Sequence, residues 1–133
     1  MTASAKAFDP ELAQRVAEAT PERMVAMLLE AAQRFLAQAV SAMHRNDPVA
    51  RGQAVNRVYA IIEELAARLN LEQGGDLAGD LDLIYEWWSW ELLHASAKQE
   101  PGRLERMSGL MGELRSSWEQ LDQSKLAARA MTA

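Results

Sequence analysis

Apolar side chains recur along this chain at spacings of three and four residues, and no stretch alternates in the two-residue manner of a β-strand. Each of the four prolines follows an acidic or hydroxyl residue, a pairing typical of helix starts. A Gly74-Gly75 pair marks a fifth start. We therefore predict helices near residues 9–19, 21–45, 48–69, 76–97 and 101–122.

The connections between these predicted helices are short. Short connections force consecutive long helices to run antiparallel. The predicted fold is therefore all-α, an antiparallel up-down four-helix bundle with a short N-terminal cap helix. Residues 1–19 form the predicted cap segment, residues 20–122 the bundle, and residues 123–133 a tail that we predict to be disordered.

The predicted cap helix has a narrow apolar seam, formed by Phe8, Leu12 and Val16. A helix of barely three turns is marginal by itself and must dock to be stable. Docking through three side chains is weak, because each contributes only about 1.5–3 kcal/mol before the cost of ordering. We interpret the cap as displaceable by a longer amphipathic ligand, with a permanently docked accessory helix as the alternative.

Two of the long helices carry one apolar stripe each and are predicted to line the core. The second has Val55, Val58, Ile62, Leu65 and Leu69, flanked by Tyr59. The fourth has Leu104, Met107, Leu110, Met111, Leu114, Trp118 and Leu121. The first long helix is broader, because Val25, Leu29, Leu36 and Val40 widen a stripe formed by Met24, Met27, Leu28, Ala31, Phe35 and Ala39.

The third long helix is apolar on two faces. We predict that one face points into the bundle: Leu77, Leu81, Ile84, Trp88, Leu92 and Ala95. The other lies roughly a third of a turn away and consists of Leu83, Trp87, Trp90 and His94. Paired tryptophans outside a core stripe are typical of interaction sites. The alternative is that twist of the bundle or the N-terminal segment buries them.

Composition narrows the classes of function. The chain of 133 residues has the length of one domain, and its net charge of −5 argues against nucleic acid or an anionic membrane as a partner. It has no cysteine, no apolar run near the roughly 20 residues that span a bilayer, and no secretory signal at its N-terminus. We predict a cytoplasmic location.

Candidate catalytic chemistry is sparse. Glu91 and His94 have the Glu-x-x-His spacing of di-iron bundles, but such sites need a second motif, and the only other histidine, His44, has a serine three residues before it. No glycine-rich phosphate loop follows a strand, and no serine has a histidine and an acid in a recognisable motif. We predict no enzyme activity, no cofactor and no metal.

The block from Leu69 to Tyr85 carries a family resemblance. Leu69-Asn70 is followed by Gly74-Gly75 with Asp76 and Leu77, and then by Leu81 and the pair Ile84-Tyr85. With Ala7-Phe8 near the start, Thr20-Pro21 before Met24 and Met27, and Trp118 near the end, this pattern resembles the flagellin export chaperones of the FliS family over most of the chain.

The resemblance implies a cytoplasmic antiparallel bundle that binds the C-terminal segment of flagellin, prevents premature polymerisation and hands the subunit to the flagellar type III export gate. It also implies an N-terminal segment that moves on binding, so Phe8, Leu12 and Val16 are predicted to form the displaceable cap or a contact to the export gate. Predicted client contacts are Leu29, Leu36 and Val40 on the first long helix, Tyr59 on the second, and Leu83, Trp87 and Trp90 on the third.

Some positions depart from the family pattern. Leu29, Glu30 and Ala31 stand where the family usually has an aromatic residue, Asp and Gly, and Trp90 and Glu91 replace two basic residues. Two alternatives therefore stay open. One is a bundle that binds another secreted or regulatory helix, and the other is a homodimeric structural protein whose interface is the surface around Trp87 and Trp90.

Overall fold

The computed structural model describes the backbone of residues 10–132 and the side chains of residues 10–125. The described backbone forms five helices and no strand: α1 (Pro10–Glu18), α2 (Pro21–His44), α3 (Pro48–Ala67), α4 (Gly75–Ala97) and α5 (Pro101–Thr132). The predicted all-α fold, a helical bundle with a short N-terminal helix, is confirmed.

Side-chain caps begin α2 and α3 where the prolines predicted them. The Thr20 hydroxyl accepts a hydrogen bond from the Arg23 backbone N–H at 3.1 Å, and the Asp47 carboxylate accepts one from the Ala50 N–H at 3.0 Å. Each bond satisfies a backbone donor that the helix itself leaves unpaired. The third predicted cap, Asp9, lies outside the described residues.

The turn before α4 requires both of its glycines. Gly75 has a backbone φ of +60°, a conformation that side chains disfavour. A Cβ at Gly74 would lie 2.5 Å from the Ala78 Cβ and 2.6 Å from the Asn70 carbonyl oxygen, so a side chain there would clash with backbone. The sequence of this turn therefore fixes the point at which the chain reverses into α4.

Helix α2 lies at the centre of the molecule. It packs extensively against α3 and α5, α4 closes the bundle between α3 and α5, and α1 packs on α2 alone. Small buried residues let α2 approach its neighbours closely, namely Ala31, Ala32, Ala39 and Ala42. Each of the predicted core residues on α2 is buried, and Leu29 and Leu36 are buried with them.

The buried face of α4 differs in part from the predicted one. Leu77 is 63% exposed and Ile84 is also exposed, whereas Tyr85 is buried beside Trp88. Burial raises the pKa of the Tyr85 hydroxyl to about 12 because the phenolate would lose its hydration. The buried face consists of Ala78, Leu81, Tyr85, Trp88, Leu92 and Ala95, so α4 is turned slightly away from α5 relative to the prediction.

Helix α5 shows the matching difference. Its predicted stripe is buried at Leu104, Met107 and Met111, but Leu110 and Leu121 are exposed. These two lie on the edge of α5 that faces α4, and α4 and α5 are the least closely packed neighbours among the four long helices. The prediction that the whole stripe lines the core is therefore wrong at this edge.

Helix α5 also continues to Thr132, beyond its predicted end at residue 122. Polar contacts hold the region around that point to the start of α2. Thr20 donates its hydroxyl to the Asp122 carboxylate at 2.8 Å, and Lys125 forms an ion pair with Glu22. Asp122 is buried. The division into cap, bundle and tail segments stays a prediction.

Because Thr20 both caps α2 and donates to Asp122, Thr20→Ala should lower the free energy of unfolding by about 2 kcal/mol. The measurement is urea unfolding followed by circular dichroism. Asp47→Ala is the comparison, because the Asp47 carboxylate caps α3 by accepting from Ala50 of the same helix. It should lower the free energy of unfolding by only about 1 kcal/mol. Equal losses in the two variants would show that the Thr20–Asp122 bond contributes nothing.

Candidate functional site

An open groove lies between α4 and α5, with a volume of about 390 Å³. We call it the α4–α5 groove and define it by its lining residues: Ile84, Trp87, Trp88, Leu110, Glu113, Leu114 and Ser117. Most of these side chains are apolar. The groove exists because the facing edges of the two helices are not packed together, so Ile84 and Leu110 stay exposed rather than meeting in a core.

An ion pair joins α4 to α5 at one end of this region. Arg103, in the first turns of α5, donates its Nε–H to Glu91 at 3.1 Å, and its Nη2 makes a second, shorter contact with the same carboxylate. The hydrogen bond from Arg103 lowers the pKa of the Glu91 carboxyl, and the same bond raises the pKa of the Arg103 guanidinium. Both side chains are largely buried, so the pair fixes the spacing of the helices near their connecting loop.

The exposed face of α4 extends the apolar surface away from the groove. Trp87 is 48% exposed, Trp90 54% and Leu83 65%. The Trp90 ring stacks on His94 with a centroid separation of 3.9 Å, and the His94 Nδ1 lies 3.0 Å from the Trp90 carbonyl oxygen. Helix α1 packs on α2 and does not cover this face. We call Leu83, Trp87, Trp90 and His94 the tryptophan strip.

A second groove lies on the other side of α5. It has a volume of about 320 Å³ and is lined by Leu36, Ala37, Val40, Leu104, Glu105 and Ser108. We call it the α2–α5 groove. Helices α2 and α5 approach closely beside it. The Gln33 side-chain amide on α2 donates a hydrogen bond to the Ser108 carbonyl on α5 at 2.9 Å. A Cβ at Gly112 would lie only 2.8 Å from the same amide nitrogen, so a glycine is needed there.

The structure divides the residues predicted to contact a client among several places. Trp87 lies in the α4–α5 groove, with Leu83 and Trp90 on the adjoining strip, while Leu36 and Val40 line the α2–α5 groove. Tyr59 is half-buried on α3. Leu29 and Leu36 are both fully buried and present no surface, because α2 is enclosed by its neighbours. Leu36 differs only in lying beneath the α2–α5 groove.

The predicted cap residues are placed only in part. Leu12 and Val16 are both buried, and the short helix that carries them packs against α2. Phe8 lies outside the described residues. Contact of Leu12 or Val16 with another protein therefore requires α1 to leave α2.

Four groove residues belong to stripes that the helical spacing predicts as core: Trp88, which is buried, and Ile84, Leu110 and Leu114, which are not fully buried. Their spacing matches that of buried neighbours, so periodicity gave no sign of their exposure. Only the wide apolar arc of α4 indicated that this side of the bundle had more apolar surface than the core needs.

Charged side chains of both signs border the α4–α5 groove. Glu113 lines it directly. Asp80 lies four residues before Ile84 and seven before Trp87, which places it in the same strip of α4. Asp76 lies one turn earlier again. By the same spacing, Arg106 lies four residues before Leu110 on α5, and it interacts electrostatically with Glu91. The border of the groove therefore carries both signs of charge.

The described residues offer no obvious place for a metal ion. No group of three or more His, Cys, Asp or Glu side chains among them is arranged to hold one. The two residues of the Glu-x-x-His spacing have other contacts, since Glu91 pairs with Arg103 and His94 stacks on Trp90. In the same part of the chain, no helix combines the length and apolarity required to cross a membrane.

Comparison with known families gives a match to the model described as flagellar protein FliS over residues 4–125. The chain belongs to the FliS family. The family resemblance drawn from Leu69 to Tyr85 and the positions around it is thereby confirmed.

Curated relatives agree with this assignment. The chain is 33% identical over 105 residues to the flagellar secretion chaperone FliSB of Pseudomonas aeruginosa, covering 79% of this chain and 83% of that protein. It is 30% identical over 107 residues to FliS of Salmonella typhimurium and 29% identical over 107 residues to FliS of Vibrio cholerae, each covering 80% of this chain and 79% of the relative. The class of protein supported is a flagellar export chaperone.

The ion pair that joins α4 to α5 should make stability depend on pH. In the unfolded chain the Glu91 carboxyl has its ordinary pKa of about 4.5, and in the folded chain this pKa is lower. The carboxylate of the folded protein therefore stays charged to lower pH. The stabilisation is therefore present at neutral pH and is lost as the pH falls through the lowered folded pKa. We expect Glu91→Gln to unfold at lower urea concentration than the parent at neutral pH, with the difference shrinking below pH 4.5.

Glu113→Gln is the matched control, because it neutralises an exposed glutamate for which no ion pair is seen. Its urea midpoint should stay close to that of the parent across the same pH series. A Glu91→Gln deficit that does not change with pH would show that the loss arises from packing rather than from charge.

Proposed function

We propose that this chain binds the C-terminal segment of flagellin on the surface formed by the α4–α5 groove and the tryptophan strip. The single observation that carries the proposal is that this apolar surface, with Trp87 and Trp90 each about half exposed, is left uncovered by the described helices. Tryptophan contributes more than most residues to binding energy at protein interfaces. Family membership supplies the class of client, a secreted flagellar protein.

Flagellin suits such a surface on chemical grounds. A C-terminal segment that builds the core of a filament is amphipathic and has no apolar partner before assembly. A groove between two helices accepts such a segment through side chains at helical spacing. Occupying its apolar face would block premature polymerisation, and holding it in an unassembled state would prepare it for the flagellar type III export apparatus.

The α2–α5 groove extends the proposed site. It lies on the other flank of α5 and presents Val40 above a floor that includes Leu36 and Leu104. A segment of about 40 residues, on the order of two helices, is long enough to occupy both grooves. The proposed client contacts are therefore Trp87 and Trp90 with Leu83 on α4, and Val40 on α2, whereas Leu36 is fully buried beneath the α2–α5 groove. Tyr59, on α3, remains a more peripheral candidate.

Exchanging both exposed tryptophans for lysine should weaken the binding of the flagellin segment at least about tenfold. Stability should change by no more than about 0.5 kcal/mol, because neither ring is part of the core. The measurement is calorimetric titration of Trp87→Lys/Trp90→Lys with a peptide of the last 40 or so flagellin residues. The parent should bind one to one with a negative heat-capacity change.

Val49→Lys/Leu71→Lys is the control for added charge, since both residues are exposed and neither lines a groove. This variant should bind the peptide as the parent does. Absence of binding by the parent would remove flagellin as the client and favour another secreted or regulatory helix. If the parent instead sediments as a dimer that the double tryptophan variant dissociates, the surface is a homodimer interface.

We also propose that α1 is the displaceable cap and that its release permits contact with the export gate. Helix α1 packs on one helix only, through Leu12, Ala13 and Val16, so its opening costs less than opening of the bundle. Amide hydrogen exchange should show α1 exchanging faster than α2 in the free protein. Saturating flagellin peptide should speed exchange in α1 further, whereas unchanged or slower exchange would identify a permanently docked helix.

A further inference from the structure

A third groove lies between α2 and α3 and shares no lining residue with the other two grooves. It has a volume of about 200 Å³. We call it the α2–α3 groove. The polar residues of its lining are Gln38, Ser41, Arg45, Gln53 and Arg57, and the remaining two are alanines. The lining therefore contains two cationic side chains and no acidic one, although the whole chain has a net charge of −5.

Both arginines of this groove are exposed and are held in position by uncharged partners. Arg45 donates its Nη1–H to the Ser41 hydroxyl at 2.7 Å. The Arg57 guanidinium lies over the ring of the buried Phe35, 5.3 Å from its centroid. These two contacts orient the guanidinium groups without neutralising their charge. An anion that binds in the groove therefore meets two cations whose ordering is already largely achieved.

The basic surface extends along α2 beyond the groove itself. The Arg34 guanidinium also lies over the Phe35 ring, 5.7 Å from its centroid, so it stands beside Arg57. Arg34 and Arg45 are about three helical turns apart along α2, a distance of roughly 16 Å. A row of cations of this length fits a stretch of polypeptide rather than a single small anion.

Acidic side chains limit this basic surface at both ends. Glu11 and Glu30 line a separate pocket together with Arg34. At the other end, Asp47 caps α3 by accepting from the Ala50 N–H. Anionic membranes and nucleic acids bind larger clusters of basic residues, and the net charge of −5 opposes both. The surface is therefore suited to a short segment that carries a few carboxylates.

We propose that the α2–α3 groove binds an acidic segment of a partner protein, with carboxylates of that segment paired to Arg45 and Arg57. A guanidinium group presents two parallel N–H donors that match the two oxygens of a carboxylate. The side-chain amides of Gln38 and Gln53 supply neutral donors and acceptors for the backbone of the segment. The proposal does not rest on the proposed function, because this groove lies apart from the surface assigned to flagellin.

The probe is a blocked peptide of about 12 residues, roughly three helical turns, with glutamates at three- and four-residue spacing among alanines. In an NMR titration of isotope-labelled protein, this peptide should shift the Nε–H signals of Arg45 and Arg57. The affinity should fall as salt is added, because both arginines are exposed. The same peptide with glutamine in place of glutamate should not bind. Signals that stay in place with the acidic peptide overturn the proposal.

Arg45→Gln/Arg57→Gln should bind the acidic peptide at least about fivefold more weakly, as expected for the loss of two exposed charge pairs. Arg23→Gln/Lys98→Gln is the matched control, because it removes the same charge from exposed positions outside the groove. The control should bind within about twofold of the parent. Equal losses in the two variants would indicate a general attraction of charge and overturn the proposal. Urea midpoints should stay close to that of the parent in both variants.

The same arginine variant separates this groove from the flagellin surface and from other occupants. It should bind the flagellin peptide as the parent does, and a loss there would make the groove part of the client site and overturn the proposal. A parent dimer that the arginine variant dissociates would identify a second copy as the occupant. Binding of the parent to phosphatidylserine vesicles, lost in the arginine variant, would identify a lipid site. Either result overturns the assignment to an acidic protein segment.

Discussion

The burial of α2 is the constraint on which the rest of this structure depends. A helix enclosed on most of its circumference needs apolar side chains over a wide arc and small ones where neighbours approach, and α2 has both, with Ala31, Ala32 and Ala39 fully buried. Helices α3 and α5 are organised around it. Since α2 takes up most of the core contacts, α4 needs only part of its own apolar surface to complete the bundle.

That imbalance produces the candidate site. Helix α4 packs through one face, from Ala78 to Ala95, and leaves a second apolar face without a neighbour among the described helices. The Glu91–Arg103 pair holds α4 and α5 together at one end, and their facing edges remain unpacked at Ile84 and Leu110. A groove of this kind costs stability in the free protein and is the normal form of a helix-binding site.

Polar contacts fix the opposite end of α5. Thr20 caps α2 and donates to the buried Asp122, and Glu22 pairs with Lys125, so the start of α2 is joined to residues of α5 that lie beyond its predicted end. These contacts lie next to the short connection between α1 and α2, because α1 ends at Glu18. The cap helix is therefore attached to a firmly held point, while its own packing is limited to α2.

The sequence by itself determined where the long helices begin and which family the chain belongs to, but not where α5 ends. Proline, Thr20 and Asp47 place helix starts by local chemistry, and the Gly74-Gly75 turn is set by backbone geometry, so neither depends on distant contacts. The breadth of apolar surface on α4 likewise indicated exposed Trp87 and Trp90. Only the tertiary structure decided that Leu77, Ile84 and Leu110 are exposed while Tyr85 and Leu29 are buried. The reason is physical: helical spacing specifies which residues share a face, but the angle and separation of two packed helices decide how much of that face is covered.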